Sequence, residues 1–169
     1  MTRDEQFTGF ASAATPSLWR TAYLLTGDAA RADDLLQQAL VKTYLAWHRV
    51  RVEDATAYAR RVVVNTHTDT WRRTRRERLV DIVPEVLSVP DEQALAALID
   101  RRTVLPALAI LTQRERAVIV LRYFIDLSER EIAAELGIAP GTVKSTAHRA
   151  LRRMRLALEP SPLAQRSPG

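Results

Sequence analysis

The chain has 169 residues, 47% of them apolar, which is enough for one medium domain or two small ones with a packed core. Its net charge of +5 and pI near 10.2 favour a polyanionic partner. With no cysteine it has no disulfide, zinc–thiolate site or thiol nucleophile, and no apolar run approaches the ~20 residues that span a bilayer.

The periodic segments are helical, with almost no alternation of period two. Residues 8–26 form the first helix pattern, with LWRTAYLLT as its apolar end. Gly27 breaks it and Asp28 is placed to cap the next helix. Residues 29–47 follow, with Leu35, Leu36, Ala39, Leu40, Thr43 and Trp47 spaced for one buried face. The short polar stretch 49–54 reads as a loop. Residues 55–78 read as a long third helix, apolar around Tyr58, Val62, Val63 and Val64 and intensely basic at WRRTRRER.

Residues 81–100 carry Asp81, Glu85, Asp91, Glu92 and Asp100 and no Lys or Arg, and Pro84 and Pro90 forbid one continuous helix. This stretch reads as a tether, with room for a short helix over 92–99. Helical patterns resume at 103–111, 112–123, 128–136 and 140–158. The tail EPSPLAQRSPG is expected to be disordered. The opening MTRDEQFTGF has no secretory pattern, so a cytoplasmic protein without membrane insertion is expected.

The stretch EREIAAELGIAPGTVKSTAHRALRRM explains where the charge goes. Ser128 with Glu131 forms a capping box, and Gly137 suits a left-handed turn. Ile132, Leu136, Ile138 and Val143 supply contacts between two helices whose close crossing requires the small Ala133. Pro140 opens the second helix, and from Lys144 to Arg155 that helix carries no acid. This is a helix-turn-helix pattern, whose second helix enters a DNA major groove. A plain helical hairpin with a solvated basic face remains the alternative for this segment taken alone.

Three stretches together resemble bacterial sigma factors of the extracytoplasmic-function (ECF) group. Residues 111–155 resemble their fourth domain, RADDLLQQALVKTYLAW the polymerase-binding helix of their second domain, and AYARRVVVNTHTDTWRRTRRE the helix that reads and melts the −10 element. The resemblance covers about residues 7–158. It implies an all-α chain of two small helical domains joined by an acidic linker: a second domain at 1–78, a linker at 79–102, a helix-turn-helix fourth domain at 103–158 and a tail at 159–169. The implied partners are core RNA polymerase, through its β′ clamp helices and β flap, and promoter DNA. An anti-sigma factor would be a further partner, on a separate chain.

The resemblance also assigns residues. For the −35 element, Lys144, Ser145, His148 and Arg149 would face base edges, and Thr142 and Arg152 phosphates. Lys and Arg suit guanine O6 and N7. His148 is otherwise a surface histidine, and Arg153 and Arg155 are left to solvent or loose phosphate contact. For the −10 element the candidates are Arg60, Arg61, Asn65, Trp71, Arg72, Arg73, Arg75 and Arg76. There Asn65 either pairs with a base or satisfies the backbone, and Trp71 either stacks on a base or packs in the core. The loop 50–54 corresponds to the place where relatives hold a flipped base. Polymerase docking falls to Asp33, Asp34, Leu35, Gln37, Gln38 and Val41. Here Gln38 stands where an acid is usual and Leu40 where Phe is usual. Leu105, Leu108, Leu121 and Phe124 are expected in the core rather than on a flap-binding surface.

Enzyme readings find no support. His48, His67 and His148 are scattered, no phosphate-binding glycine motif occurs, and no nucleophile stands beside a base. No cofactor is expected. The rival reading is a stand-alone helix-turn-helix regulator. Such a regulator would carry a sensor or dimerisation domain in the first half instead of a docking helix followed by a basic one. A degenerate, purely interacting family member would have lost the basic residues, which are present.

Overall fold

A computed structural model of the chain describes residues 1–75 and 104–158; the side chains of residues 71, 72, 74, 75 and 158 are outside that description. Among the described residues every regular element is helical.

Helix α1 (Arg3–Thr26) begins earlier than apolar periodicity alone indicates, because Thr2 and Glu5 form a capping box. Thr2 Oγ1 accepts from the Glu5 amide at 3.2 Å, and the Thr2 amide donates to Glu5 Oε2 at 2.8 Å. Two of the otherwise orphaned N–H groups of a helix start are thereby satisfied. These bonds hold the Glu5 carboxyl below its ordinary range. The helix ends at Gly27, whose φ of 70° is left-handed and whose N–H donates to the Tyr23 carbonyl at 2.7 Å.

Asp28 then caps α2 (Ala29–Ala46), accepting from the Arg31 amide at 2.9 Å. The stretch expected as a loop contains two single turns of 3₁₀ helix, Trp47–Arg49 and Val52–Asp54, which lead into α3 (Ala55–Arg75). Residues 76–78 of the expected helix, the linker 79–102, residue 103 and the tail 159–169 lie outside the described residues.

These three helices pack on one another around Leu18, Ala22, Leu25, Leu36, Ala39, Ala59 and Val63. Trp47 plugs one end. Its ring lies 5.3 Å from Phe7 and 5.0 Å from Phe10, and Phe7 meets Tyr44 edge-on at 5.0 Å. Arg3 closes this end by stacking over the Tyr44 ring and donating to the Tyr44 carbonyl.

In the second half, α4 (Val104–Ala109) precedes α5 (Gln113–Ile119), which starts at a Thr112–Glu115 capping box. The expected single helix over 112–123 does not stay α-helical. At Val120–Phe124 it widens to a π turn, closed by the Ile125 amide donating to the Val120 carbonyl at 3.2 Å. Val118, Ile119, Val120 and Leu121 are all fully buried, more consecutive positions than one face of a surface helix can hide. Leu108 and Leu121 are core as expected, while Leu105 and Phe124 are half-buried against it.

The turn after Asp126 (φ 58°) leads to Ser128, which caps α6 (Glu129–Leu136) with Glu131 as its reciprocal partner. Helix α7 (Pro140–Leu158) follows. Removing the hydroxyl in Ser128→Ala is expected to cost about 0.5–2 kcal/mol of stability, read by urea unfolding of the whole chain.

Candidate nucleic-acid interface

Helix α6 ends at Gly137, whose φ of 65° no β-carbon favours, and its N–H donates to the Ala133 carbonyl. Ile138 donates to the same carbonyl at 3.1 Å, and the amides of Thr142 and Val143 bond the Ala139 carbonyl. The chain therefore reverses tightly between two helices. Ile132, Ala133 and Leu136 of α6 are buried, as are Val143, Thr146, Ala150, Leu151 and Met154 of α7. Spacings of three and four residues put those α7 side chains on one stripe, so the opposite stripe faces outward.

Lys144, Ser145 and Arg152 are exposed on that outward stripe, and Thr142 and His148 are half-exposed. Ser145 turns its hydroxyl back to the Thr142 carbonyl at 3.1 Å. Arg149 is half-buried and folded along its own helix. Its Nη2 donates to Thr146 Oγ1 at 3.3 Å, while its Nε is buried with no hydrogen-bond partner. Arg153, expected in solvent or on a phosphate, is instead paired through Nε with Glu115 at 3.4 Å. Glu115 is buried, and a buried acidic side chain needs partners, so Arg153 serves the fold. Arg155 likewise has an interaction within the protein.

On α3, Asn65 and Arg73 are exposed and Arg60 is half-exposed. Arg61 is also exposed, but its Nε holds Glu135 of α6 at 3.0 Å. The side chains of Trp71, Arg72 and Arg75, and Arg76 altogether, lie outside the described residues. The loop before α3 exposes Arg51, Val52, Glu53 and Asp54, with Arg51 and Glu53 3.6 Å apart.

Helix α2 presents Asp34, Gln37, Gln38 and Val41 to solvent, continued by Leu45 one turn on; Val41 and Leu45 are 59% and 65% exposed. Two members of the expected docking set behave differently. Leu35 is buried in the core and holds the helix in place instead of facing a partner. Asp33 accepts from the Trp19 indole N–H at 2.7 Å, and Trp19 stacks on Tyr23.

A further cluster escaped the sequence reading. Helix α1 has no basic residue in its last turn, where unpaired carbonyls concentrate partial negative charge. Arg116 of α5 supplies the missing cation, its Nε donating to the Leu24 carbonyl at 2.7 Å. The guanidinium occupies the space beside Gly27 where a β-carbon would lie within 2.7 Å of Nη2. His67 of α3 lies in the same seam, in a small crevice with Thr68, Gln113, Arg114, Ala117 and Leu136. Burial, and then the Arg116 charge, push the His67 imidazole down to about 4. Nothing local signals these contacts, since Arg116 and Leu24 are 92 positions apart.

Among the described residues no group of three or more His, Cys, Asp or Glu could hold a metal, and no helix is long and apolar enough to cross a membrane. Two family models match the chain: Sigma-70 region 2 over residues 11–77 and Sigma-70, region 4 over residues 101–154. It is 41% identical over 152 residues to the ECF RNA polymerase sigma factor SigL of Mycobacterium tuberculosis, covering 84% of this chain and 82% of that protein.

The chain belongs to the ECF sigma factors. The RNA polymerase sigma-E factor of Streptomyces avermitilis is 40% identical to this sigma factor over 164 residues, 96% of this chain and 90% of the relative. Among solved structures, the fold resembles the sigma factor RpoE of Bartonella quintana, solved with the anti-sigma factor NepR (24% identity, TM-score 0.60, 91% of this chain and 98% of that one). It also resembles CnrH, solved with the cytosolic domain of CnrY (22% identity, TM-score 0.57, 90% of this chain and 86% of that one). As an ECF sigma factor the chain acts with RNA polymerase in promoter-specific transcription initiation.

Proposed function

We propose that this sigma factor divides promoter reading between its two halves, with 1–78 as the −10 domain, 79–102 as the tether, 103–158 as the −35 domain and 159–169 as a tail. The observation that carries the reading is the outward stripe of α7, where Lys144, Ser145, His148 and Arg152 stand clear of the buried stripe on a helix set by a tight turn. Lys144, Ser145, His148 and Arg149 read base edges, and Thr142 and Arg152 hold phosphates. Arg149 must leave Thr146 to do so, and its unpartnered Nε then gains an acceptor.

Arg60, Asn65, Trp71, Arg72, Arg73, Arg75 and Arg76, with Arg61 once free of Glu135, hold the melted −10 strand. Asp34, Gln37, Gln38 and Val41 dock on the polymerase β′ clamp helices, and the second half meets the β flap. The chain works in the cytoplasm, catalyses nothing itself and uses no cofactor. An anti-sigma factor is a fitting regulator, a reading supported by the similarly folded RpoE solved with the anti-sigma factor NepR.

Run-off transcription from a promoter pool, with bacterial core polymerase alone or with this protein, tests the reading. Selected transcripts should appear only when the protein is added. Lys144→Ala and Arg149→Ala should each lose about 1–3 kcal/mol of discrimination at one −35 position. Arg152→Ala should weaken binding on all sequences alike and lower the salt slope by about one. If no transcript appears but the protein alone retains duplex DNA in a salt-sensitive way, a stand-alone regulator replaces this reading.

A further inference from the structure

Thr146 is fully buried, on the stripe of α7 that it shares with Val143, Ala150, Leu151 and Met154. Those neighbours are all apolar, and a hydroxyl among them costs free energy unless it is bonded. Valine has nearly the same shape and would bury no polar group there. The Thr146 hydroxyl oxygen accepts from Arg149 Nη2 at 3.3 Å. It therefore draws the head of the arginine back along its own helix, toward the buried stripe and away from the exposed Lys144, Ser145 and Arg152.

This withdrawn pose is held weakly. The bond is longer than the about 2.9 Å usual for N–H···O, and the adjoining Nε is buried with no hydrogen-bond partner. A guanidinium that keeps one long bond and strands one donor lies close to balance with a pose in which it points outward. No acid between Lys144 and Arg155 holds it elsewhere, and Glu115, which does reach α7, is taken up by Arg153.

We propose that Thr146 is a positioning residue for promoter reading: its hydroxyl keeps Arg149 withdrawn at rest, so the arginine must leave it to read a base, and the chain binds the −35 duplex less tightly than its surface allows. This rests on the base-reading role given to Arg149 above. A protein whose binding-competent state is only fractionally populated shows an affinity lowered by that fraction. Removing the hydroxyl raises the fraction, so affinity rises. The base preferred by Arg149 does not change, because that contact forms after release and does not include Thr146.

Thr146→Val removes the acceptor at nearly constant shape, Thr146→Ser keeps it, and Arg149→Met removes the head group and keeps the stem. Each full-length chain is loaded on bacterial core polymerase, and promoter duplexes randomised over the −35 region are retained and sequenced. Thr146→Val should retain the selected duplexes about fivefold more tightly, the change expected when an ordinary hydrogen bond is lost from the resting pose. Thr146→Ser should match the natural chain. In the Arg149→Met background Thr146→Val should change nothing, whereas a merely structural role would shift retention in both backgrounds alike. Nuclear magnetic resonance of the free chain gives a second readout. The Arg149 Nε–H signal, assigned by its loss in Arg149→Met, should exchange slowly in the natural chain and fast in Thr146→Val.

Equal or weaker retention by Thr146→Val, with Arg149→Met still weakening it, would overturn the restraint and leave the base-reading role standing. A fast-exchanging Nε–H in the natural chain would also overturn it, and that result needs no Thr146 variant to fold. If Arg149→Met alters neither retention nor base preference, the base-reading role itself fails and the restraint on reading falls with it.

Discussion

Ile132→Ala is expected to lower the stability of the helix-turn-helix half by about 2–5 kcal/mol, the usual cost of truncating a fully buried isoleucine to alanine. Ile132 is 0% exposed and belongs to the same core as Val118, Ile119, Val143 and Met154. Its loss removes apolar contact and leaves a void that close-packed neighbours fill only in part. Since folded domains are stable by only about 5–15 kcal/mol, this one substitution consumes a large share. Urea unfolding followed by circular dichroism gives the size of the effect. Duplex DNA retention should fall with the folded fraction, and excess ligand should partly restore it. Val41→Ala, by contrast, removes an exposed side chain and should leave the unfolding midpoint nearly unchanged. Equal losses from both substitutions would contradict the assignment of Ile132 to the core.

Acid is expected to act through His67. In the folded chain its imidazole is pushed down to about 4, from an ordinary value of 6.5, by burial and then by Arg116. Between those values the unfolded chain takes up a proton that the folded chain refuses. The unfolded state therefore binds more protons, and stability falls as pH falls from 6.5 toward 4. Each pH unit well inside the window costs about 1.4 kcal/mol. Above 6.5 both states hold the ring neutral, and this dependence disappears.

The surroundings do not remove the effect. Arg116 and Arg114 remain cationic, and Glu135, raised by burial, works in the opposite direction only as it takes up its own proton. His67→Gln should flatten the urea midpoint between pH 6.5 and pH 5. An equally steep wild-type and variant profile would place the acid sensitivity elsewhere.

The helices were legible wherever the cause is local. Asp28, Ser128, Gly27 and Gly137 mark boundaries through their own hydrogen bonds or backbone angles, and the structure places caps at each. The start of α1 lies ahead of the apolar pattern, at a capping box whose residues, Thr2 and Glu5, are local in the sequence. The π turn at Val120–Phe124 has no comparable local signal.

For the candidate surfaces, helical spacing identified which side of α7 faces outward. It could not show that Arg149 lies along its helix or that Arg153 is committed to Glu115. Leu35 is the opposite case: helical spacing puts it on the buried face, where it lies, and only the family resemblance put it in the docking set beside the exposed Asp34. The seam was illegible for a stronger reason. Its partners come from opposite halves of the chain and become neighbours only after both halves fold.

The bond from the Trp19 indole to Asp33 places a chromophore against the edge of α2, with the Tyr23 ring stacked on it. An encounter that draws Asp33 toward a cationic partner would strip the indole of its acceptor and alter the polarity around an emitting ring. If α2 docks as proposed, Trp19 would report the event as a change on top of the emission of Trp47 and Trp71, with no attached dye.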